Sequence, residues 1–216
     1  MPRNKSSRFI TLEGGEGTGK STLQNGLFDA LFAQRETVIL TREPGGTPLA
    51  EMVRNLALHP QEGQQWSPLA EALLMNAARA DHLEKIIRPA LQQNHWVICD
   101  RFADSTRAYQ SVGGGVSTKT LECMEATVLG DTQPDLTFIL DAPMETTQLR
   151  RSTRNEASDS FEARGADFHS AVRNAFLEIA RSQPQRCVVI DAQQDAEKVL
   201  ADCLAIIANR FMTTDP

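Results

Sequence analysis

Apolar, β-branched residues collect in five short runs, Phe9–Leu12, Val38–Leu40, Trp96–Cys99, Leu136–Leu140 and Cys187–Ile190. The intervals between them are long enough for crossover helices, so the pattern predicts an α/β fold: a five-stranded parallel sheet covered on both faces. The runs end on polar or charged residues: Glu13, Arg42 after Thr41, Asp100-Arg101, Asp141 and Asp191. Ligands of an open α/β sheet gather beyond the carboxyl ends of its strands, which makes these endings the first places to look for chemistry. Asp141 and Asp191 are read as helix caps or turn formers.

Two helical patterns stand out. Thr22 through Arg35 reads as an amphipathic helix. Pro68 through Gln93 reads as one long helix with Ala70, Leu73, Leu74, Ala77, Ala78, His82, Leu83, Ile86 and Ile87 at core spacing. Arg79 interrupts that second stripe among small neighbours, where a solvated helix residue is the ordinary reading.

Between the first strand and the first helix lies Gly14-Gly15-Glu16-Gly17-Thr18-Gly19-Lys20-Ser21, a G-x-x-x-x-G-K-[ST] pattern. Glycines let successive backbone N–H groups converge on phosphate oxygens without Cβ clashes, and the helix starting near Lys20 adds its positive end. Lys20 would reach the β- and γ-phosphates, and the Ser21 hydroxyl would ligate Mg²⁺. Chance matches expected from this composition number roughly 0.002, so a Gly-rich turn with no ligand is a poor competitor.

Composition narrows the picture. With 216 residues and 41% hydrophobic content, the chain can bury one sizeable core, and no linker-like stretch divides it, so residues 1–216 are expected to form a single domain. A net charge of −6 argues against general nucleic-acid binding and requires that any phosphate site be built from local cations. No apolar run approaches the roughly 18 residues that span a bilayer, and Met1–Lys5 lead directly into a strand, so a cytoplasmic protein is expected. Cys99, Cys123, Cys187 and Cys203 form no C-x-x-C pair and read as buried free thiols; His59, His82, His95 and His169 show no metal-ligand spacing.

Three further segments carry candidate chemistry. Thr41-Arg42-Glu43-Pro44-Gly45-Gly46-Thr47 joins a strand-end cation to a sharp turn. Asp100-Arg101-Phe102 sets a carboxylate beside a guanidinium, either as a local ion pair or with Asp100 near Mg²⁺-bound water and Arg101 clamping a phosphate. The polar stretch of about 150–164, with Arg150, Arg151 and Arg154, is a solvated surface or a lid that closes over phosphates.

Together these segments resemble the thymidylate kinases, P-loop kinases that phosphorylate dTMP. The resemblance rests on Glu13 through Thr22, Thr41 through Thr47, Ala77-Ala78-Arg79, Asp100-Arg101-Phe102, Ser105-Thr106-Arg107-Ala108-Tyr109-Gln110 and Pro134-Asp135-Leu136-Thr137, in the right order over nearly the whole chain. It implies a three-layer P-loop kinase fold with a short lid, ATP as donor, Mg²⁺, dTMP as acceptor and a homodimer formed through apolar faces of long helices. By position, Gly14 to Thr22 would hold ATP and Glu16 would lie near the acceptor 3′-hydroxyl. Arg42 and Arg101 would hold the acceptor phosphate, Arg101 bridging to the donor. Arg79 would address the thymine, Ser105 and Thr106 would line the base pocket, Tyr109 would crowd the 2′ position, and Gln110 completes the motif.

Two positions depart from the family pattern. Met75 stands where an aromatic residue commonly stacks on thymine, and Ser160 stands where a lid arginine is typical, which leaves Arg151 or Arg154 to replace it. No strong general base is required, because the acceptor phosphate, with a second pKa of about 6, is mostly dianionic at neutral pH. The protein must supply alignment and positive charge. Kinases of other nucleoside monophosphates would share only the phosphate loop, and a GTPase switch would need Asn-Lys-x-Asp and Asp-x-x-Gly elements that the chain lacks.

Overall fold

A computed structural model describes residues 8–61, 63–112, 115–152, 160–161 and 163–212. Its five strands are β1 (Phe9–Glu13), β2 (Val38–Arg42), β3 (Trp96–Asp100), β4 (Leu136–Asp141) and β5 (Cys187–Asp191). All pair in parallel, in the order β2-β3-β1-β4-β5. Each strand includes the polar residue that ends its apolar run, because the ladder runs to the edge where the chain turns away; Leu12 and Arg42 both pair in register with Asp100.

Helices cover both faces. Leu23, Leu27 and Leu31 of α1 (Lys20–Ala33) pack with Val199, Cys203 and Ile207 of α9 (Ala196–Ile207) on Ile10, Leu12, Ile98 and Phe138. The opposite face carries α5 (Ala103–Val112), α8 (Ala166–Ser182) and the helical stretch after Pro68, packed on Phe9, Val97 and Ile139. Thr11 bonds Thr137 (2.7 Å) within the sheet, and Arg186 reaches Thr137 and both oxygens of Asp104 (2.7 Å each). The remaining helices are α2 (Pro48–Leu58), α3 (Pro68–His82), α4 (Arg88–Gln92), α6 (Thr118–Leu129) and α7 (Met144–Ser152).

Four expectations need correction. The single helix over 68–93 is α3, a π-helical turn at Leu83–Ile87 and then α4. Pro89 has no N–H to give and its ring crowds the carbonyl four residues back, so the backbone widens just before it. The buried face of α3 is also rotated from the apolar stripe: Glu71, Asn76 and Arg79 are inside beside the expected Ala78 and His82, whereas Leu73 of that stripe is about half exposed, as is Leu69. Asp141 is neither cap nor turn former, since it accepts two bonds from Arg173 (2.6 and 2.8 Å); Asp191 does form a turn, accepting from Gln193 N (3.0 Å). Cys123 is exposed on α6, whose buried positions are Leu121, Glu125 and Leu129; the other three thiols are buried.

Candidate active site

The turn from β1 into α1 is shaped by its glycines. Gly14 stands at φ 128°, where a Cβ would lie 2.4 Å from the Leu140 carbonyl oxygen, and Gly17 at φ 78°, where a Cβ would lie 2.8 Å from that of Thr147. No other residue fits either position without displacing backbone. The loop folds around Lys20, whose Nζ donates to the carbonyls of Gly14 (3.1 Å) and Gly15 (2.8 Å). Thr18 donates to Gly15 O (2.9 Å). Burial, with Arg101 adding to it, pulls the Lys20 ammonium below its usual range, against the opposing charges of Glu16 and Asp100. No side chain caps α1, in contrast to α2, α3 and α6, which use Thr47, Ser67 and Ser117. An uncapped helix start beside a glycine loop is an anion site in waiting.

Asp100 and Arg101 leave the adjacent strand. Ser21 Oγ lies 3.4 Å from Asp100 Oδ2, while Asp100 Oδ1 is buried with no hydrogen-bond partner. An orphaned carboxylate oxygen beside a hydroxyl and the phosphate loop suits Mg²⁺ or its bound water. Arg101 takes a left-handed backbone conformation (φ 65°) and donates to Gly14 O (3.0 Å), Ser105 Oγ (3.1 Å) and Glu16. Burial works against its charge, but Glu16, Tyr109 and Asp100 outweigh it and hold the guanidinium well above its ordinary value.

A cavity of about 460 Å³ opens in front of this loop. Glu16, Gly17, Gly19, Lys20, Ser21, Asp100 and Arg101 line one side, and Arg42, Met75, Arg79, Ser105, Thr106, Tyr109 and Gln110 line the other. Arg42 sits at the rim, half exposed and paired with Glu51 (3.1 Å). Arg79 is buried: it donates to Glu43 (2.7 Å), Thr106 Oγ1 (3.0 Å) and Asn76 (3.3 Å). Thr106 thus braces Arg79, and the Ser105 hydroxyl is held by Glu13 (2.6 Å) and Arg101. Tyr109 packs edge-on against Phe161, with centroids 5.6 Å apart, and burial raises its phenol far above the usual range. Gln110 donates to Glu71 (3.3 Å), which also receives Arg164 (2.6 Å).

Some expected residues lie elsewhere. Thr22 is exposed on the first turn of α1, away from the cavity. Gly15, Thr18 and Arg151 line a separate water-sized space, and Arg151 leans towards His169 (3.4 Å), with its stem against Gly17. Gly14 meets the site through its carbonyl. Arg154 falls outside the described residues; Ser160 is bonded to the carbonyls of Leu58 and Ala57, at the end of α2.

Glu43, Arg54 and Phe161 line the cavity without having been singled out. Glu43 accepts from Arg79 and from His82 Nδ1 (3.0 Å), while His82 Nε2 meets the Thr41 hydroxyl (2.6 Å). Arg54 holds the Pro44 carbonyl (2.9 Å). The signal for Glu43 was its place at the ligand edge beside Arg42. A helix arginine such as Arg54 carries no such mark, and Phe161 reads as an isolated apolar residue in a polar run.

A lysine wrapped by its own glycine loop, with an arginine from the neighbouring strand turned back over that loop, defines a P-loop phosphotransferase built for two phosphate groups. The thymidylate kinase family profile matches residues 12–203. The chain belongs to the thymidylate kinase family. It is 49% identical to the thymidylate kinase of Nitrobacter hamburgensis, over 96% of this chain and 91% of that one. It is 48% identical to that of Caulobacter vibrioides, over 94% and 97%. The crystal structure of thymidylate kinase from Ehrlichia chaffeensis superposes with a TM-score of 0.75 at 35% identity, covering 93% of this chain and 98% of that one.

Proposed function

We propose that the chain transfers the γ-phosphate of ATP to dTMP, giving dTDP and ADP for dTTP synthesis, with roles divided along the cavity. The observation that carries this reading is that phosphate loop and acceptor-side residues line one space, with Arg101 between them. Lys20 and the loop N–H groups hold the donor phosphates. Arg42 and Arg101 hold the acceptor phosphate, and Arg101 neutralises charge that develops between the two. Glu16 orients the acceptor sugar and Arg79 reads the base, with Met75 and Phe161 as apolar walls. Mg²⁺, held by Ser21 and through water by Asp100, would neutralise the β- and γ-oxygens. The chain would work as a single domain, with about 150–164 as its lid and Arg151 or Arg154 supplying the lid cation. The cytoplasm, where free thiols persist and nucleotides are made, is its compartment; no described helix is long and apolar enough to cross a membrane.

Phosphorylation assays with ATP and Mg²⁺ across dTMP, dUMP, UMP, CMP, AMP and GMP test the reading. dTMP is expected to be preferred, with slow hydrolysis of ATP alone; preference for another acceptor overturns it. In the same assay, Arg151→Ala or Arg154→Ala lowers kcat by about 10-fold or more if the lid cation comes from either. Two unchanged rates remove both.

A homodimer is supported by the outward faces of α2 and α3. Leu49, Met52 and Leu56 recur on one side of α2, Leu69 and Leu73 lie on the outside of α3, and all are about half exposed or more. A rim of apolar side chains that the fold leaves uncovered on two packed helices fits an isologous contact. Sedimentation should give twice the chain mass for the wild type and a monomer for Met52→Glu/Leu73→Glu; a wild-type monomer at micromolar concentration rules the dimer out.

A further inference from the structure

Glu13 has no role in the reaction as laid out above, yet it touches both halves of the site. It ends β1, and Gly14, the next residue, begins the phosphate loop. Its side chain is fully buried and faces the turn after β3: Oε1 accepts from the amides of Phe102 (2.8 Å) and Ser105 (3.2 Å), and Oε2 bonds Ser105 Oγ (2.6 Å). That same Oγ lies 3.1 Å from Arg101 NH1. A guanidinium only donates, so with an ionised Glu13 the hydroxyl passes the chain on in one direction, from Arg101 to Ser105 to Glu13. Arg101 holds a left-handed backbone conformation that a residue with a Cβ keeps only when neighbours support it. The amide directly after it is one that Glu13 takes.

We propose that Glu13 is a positioning residue for phosphoryl transfer, clamping the Asp100-Arg101-Phe102 turn through its amides and aiming the Arg101 guanidinium through Ser105. The inference rests on the role assigned to Arg101 under the proposed function. Its consequence is mechanical: the residue from which the phosphate loop starts also holds the arginine that meets the second phosphate, so the two cannot shift independently. A small misplacement of a charge-neutralising group is costly to rate while leaving binding of the distant adenosine untouched.

The groups facing Glu13 come from several elements: Asp104 and Tyr109 of α5, Arg101, Lys20 of α1, Cys99 of β3 and Cys187 of β5. Burial pushes the Glu13 carboxyl up to about 8, and Asp104 adds to it, against the Ser105 bond and Arg101. A proton on Oε2 reverses the Glu13–Ser105 bond; Ser105 Oγ still accepts from Arg101 with its second lone pair, but the negative charge that polarises the hydroxyl and tightens its hold on the guanidinium is gone. The ionised form is therefore the one that aims Arg101.

Glu13→Gln keeps the size and the Oε1 acceptor but can only donate towards Ser105. It is expected to lower kcat about 10-fold, with KM for ATP within about 2-fold of wild type, and to abolish a rise in kcat that the wild type shows through about pH 8. Ser105→Ala leaves the amide bonds of Glu13 intact and severs only the link to Arg101, so it stands as the test even if Glu13→Gln folds poorly. It should cost a similar factor, and the double variant should cost no more than the larger single loss. Wild-type kcat with an unchanged pH profile in Glu13→Gln, wild-type kcat in Ser105→Ala, or losses that multiply in the double variant, would each overturn the inference. Arg101→Ala separates the two levels: full activity there defeats the role of Arg101 itself, whereas its collapse beside an unaffected Glu13→Gln defeats only the positioning role.

Discussion

Arg101→Ala is expected to lower kcat for dTMP phosphorylation by about 10³-fold or more, the scale on which a charge-neutralising arginine acts in phosphoryl transfer. The variant loses the cation that stands between Gly14 O, Ser105 and Glu16, and it takes that partner from the Glu16 carboxylate of the phosphate loop. Arg101→Lys should recover only part of the loss, because one ammonium cannot replace a planar fork that meets three groups at once. Steady-state kinetics at saturating ATP and dTMP measure it. A loss confined to KM, with kcat unchanged, would show that Arg101 merely binds the acceptor equally in ground and transition states.

Arg79→Ala is expected to act twice. KM for dTMP should rise about 100-fold, the cost of losing charged hydrogen bonds to a bound polar ring, while KM for ATP stays put. Stability should fall by about 3 kcal/mol, because Glu43 remains buried with only His82 to meet it. For a chain of this length that is a drop in Tm of about 6–12 °C. Thermal melts and acceptor titrations separate the two effects. A variant with wild-type Tm but raised KM would mean that Glu43 is accommodated without Arg79, and the ion pair would lose its structural part.

The strands were legible because the three central ones, β3, β1 and β4, are buried on both faces and the two edge strands keep short β-branched runs, so all five appear as apolar stretches. The phosphate loop was legible because its conformation admits so few residue types: at Gly14 and Gly17 any side chain would strike backbone. The orientation of α3 was not. Apolar periodicity points to Leu73 and Ala77, but the helix turns Glu71, Asn76 and Arg79 inward because partners from distant segments meet them: Glu43 after β2, Thr106 on α5 and Arg164 at the end of the polar 150–164 stretch. Periodicity scores hydrophobicity and is blind to a polar face that is satisfied from elsewhere. Ser105 shows the same limit. The family motif puts it beside the base pocket, but its hydroxyl is spent on Glu13 and Arg101, a contact set by the register of β1 against β3 rather than by anything within the motif.

The strand order itself has a consequence for how this enzyme can change. β1 and β3 are neighbours, so the phosphate loop and Arg101 leave the sheet a single strand spacing apart, held by main-chain bonds such as Arg101 N to Leu12 O. Met75 and Arg79, the residues proposed to meet the base, ride on a helix outside the sheet. The proposed roles thereby divide between layers: phosphate transfer at the sheet edge, and part of the base contact on the helix. With the roles proposed above, exchange of Met75 on α3 is expected to shift acceptor preference among pyrimidines while the β1–β3 edge that carries the phosphate loop and Arg101 stays in place, which makes that helix a starting point for engineering new preferences.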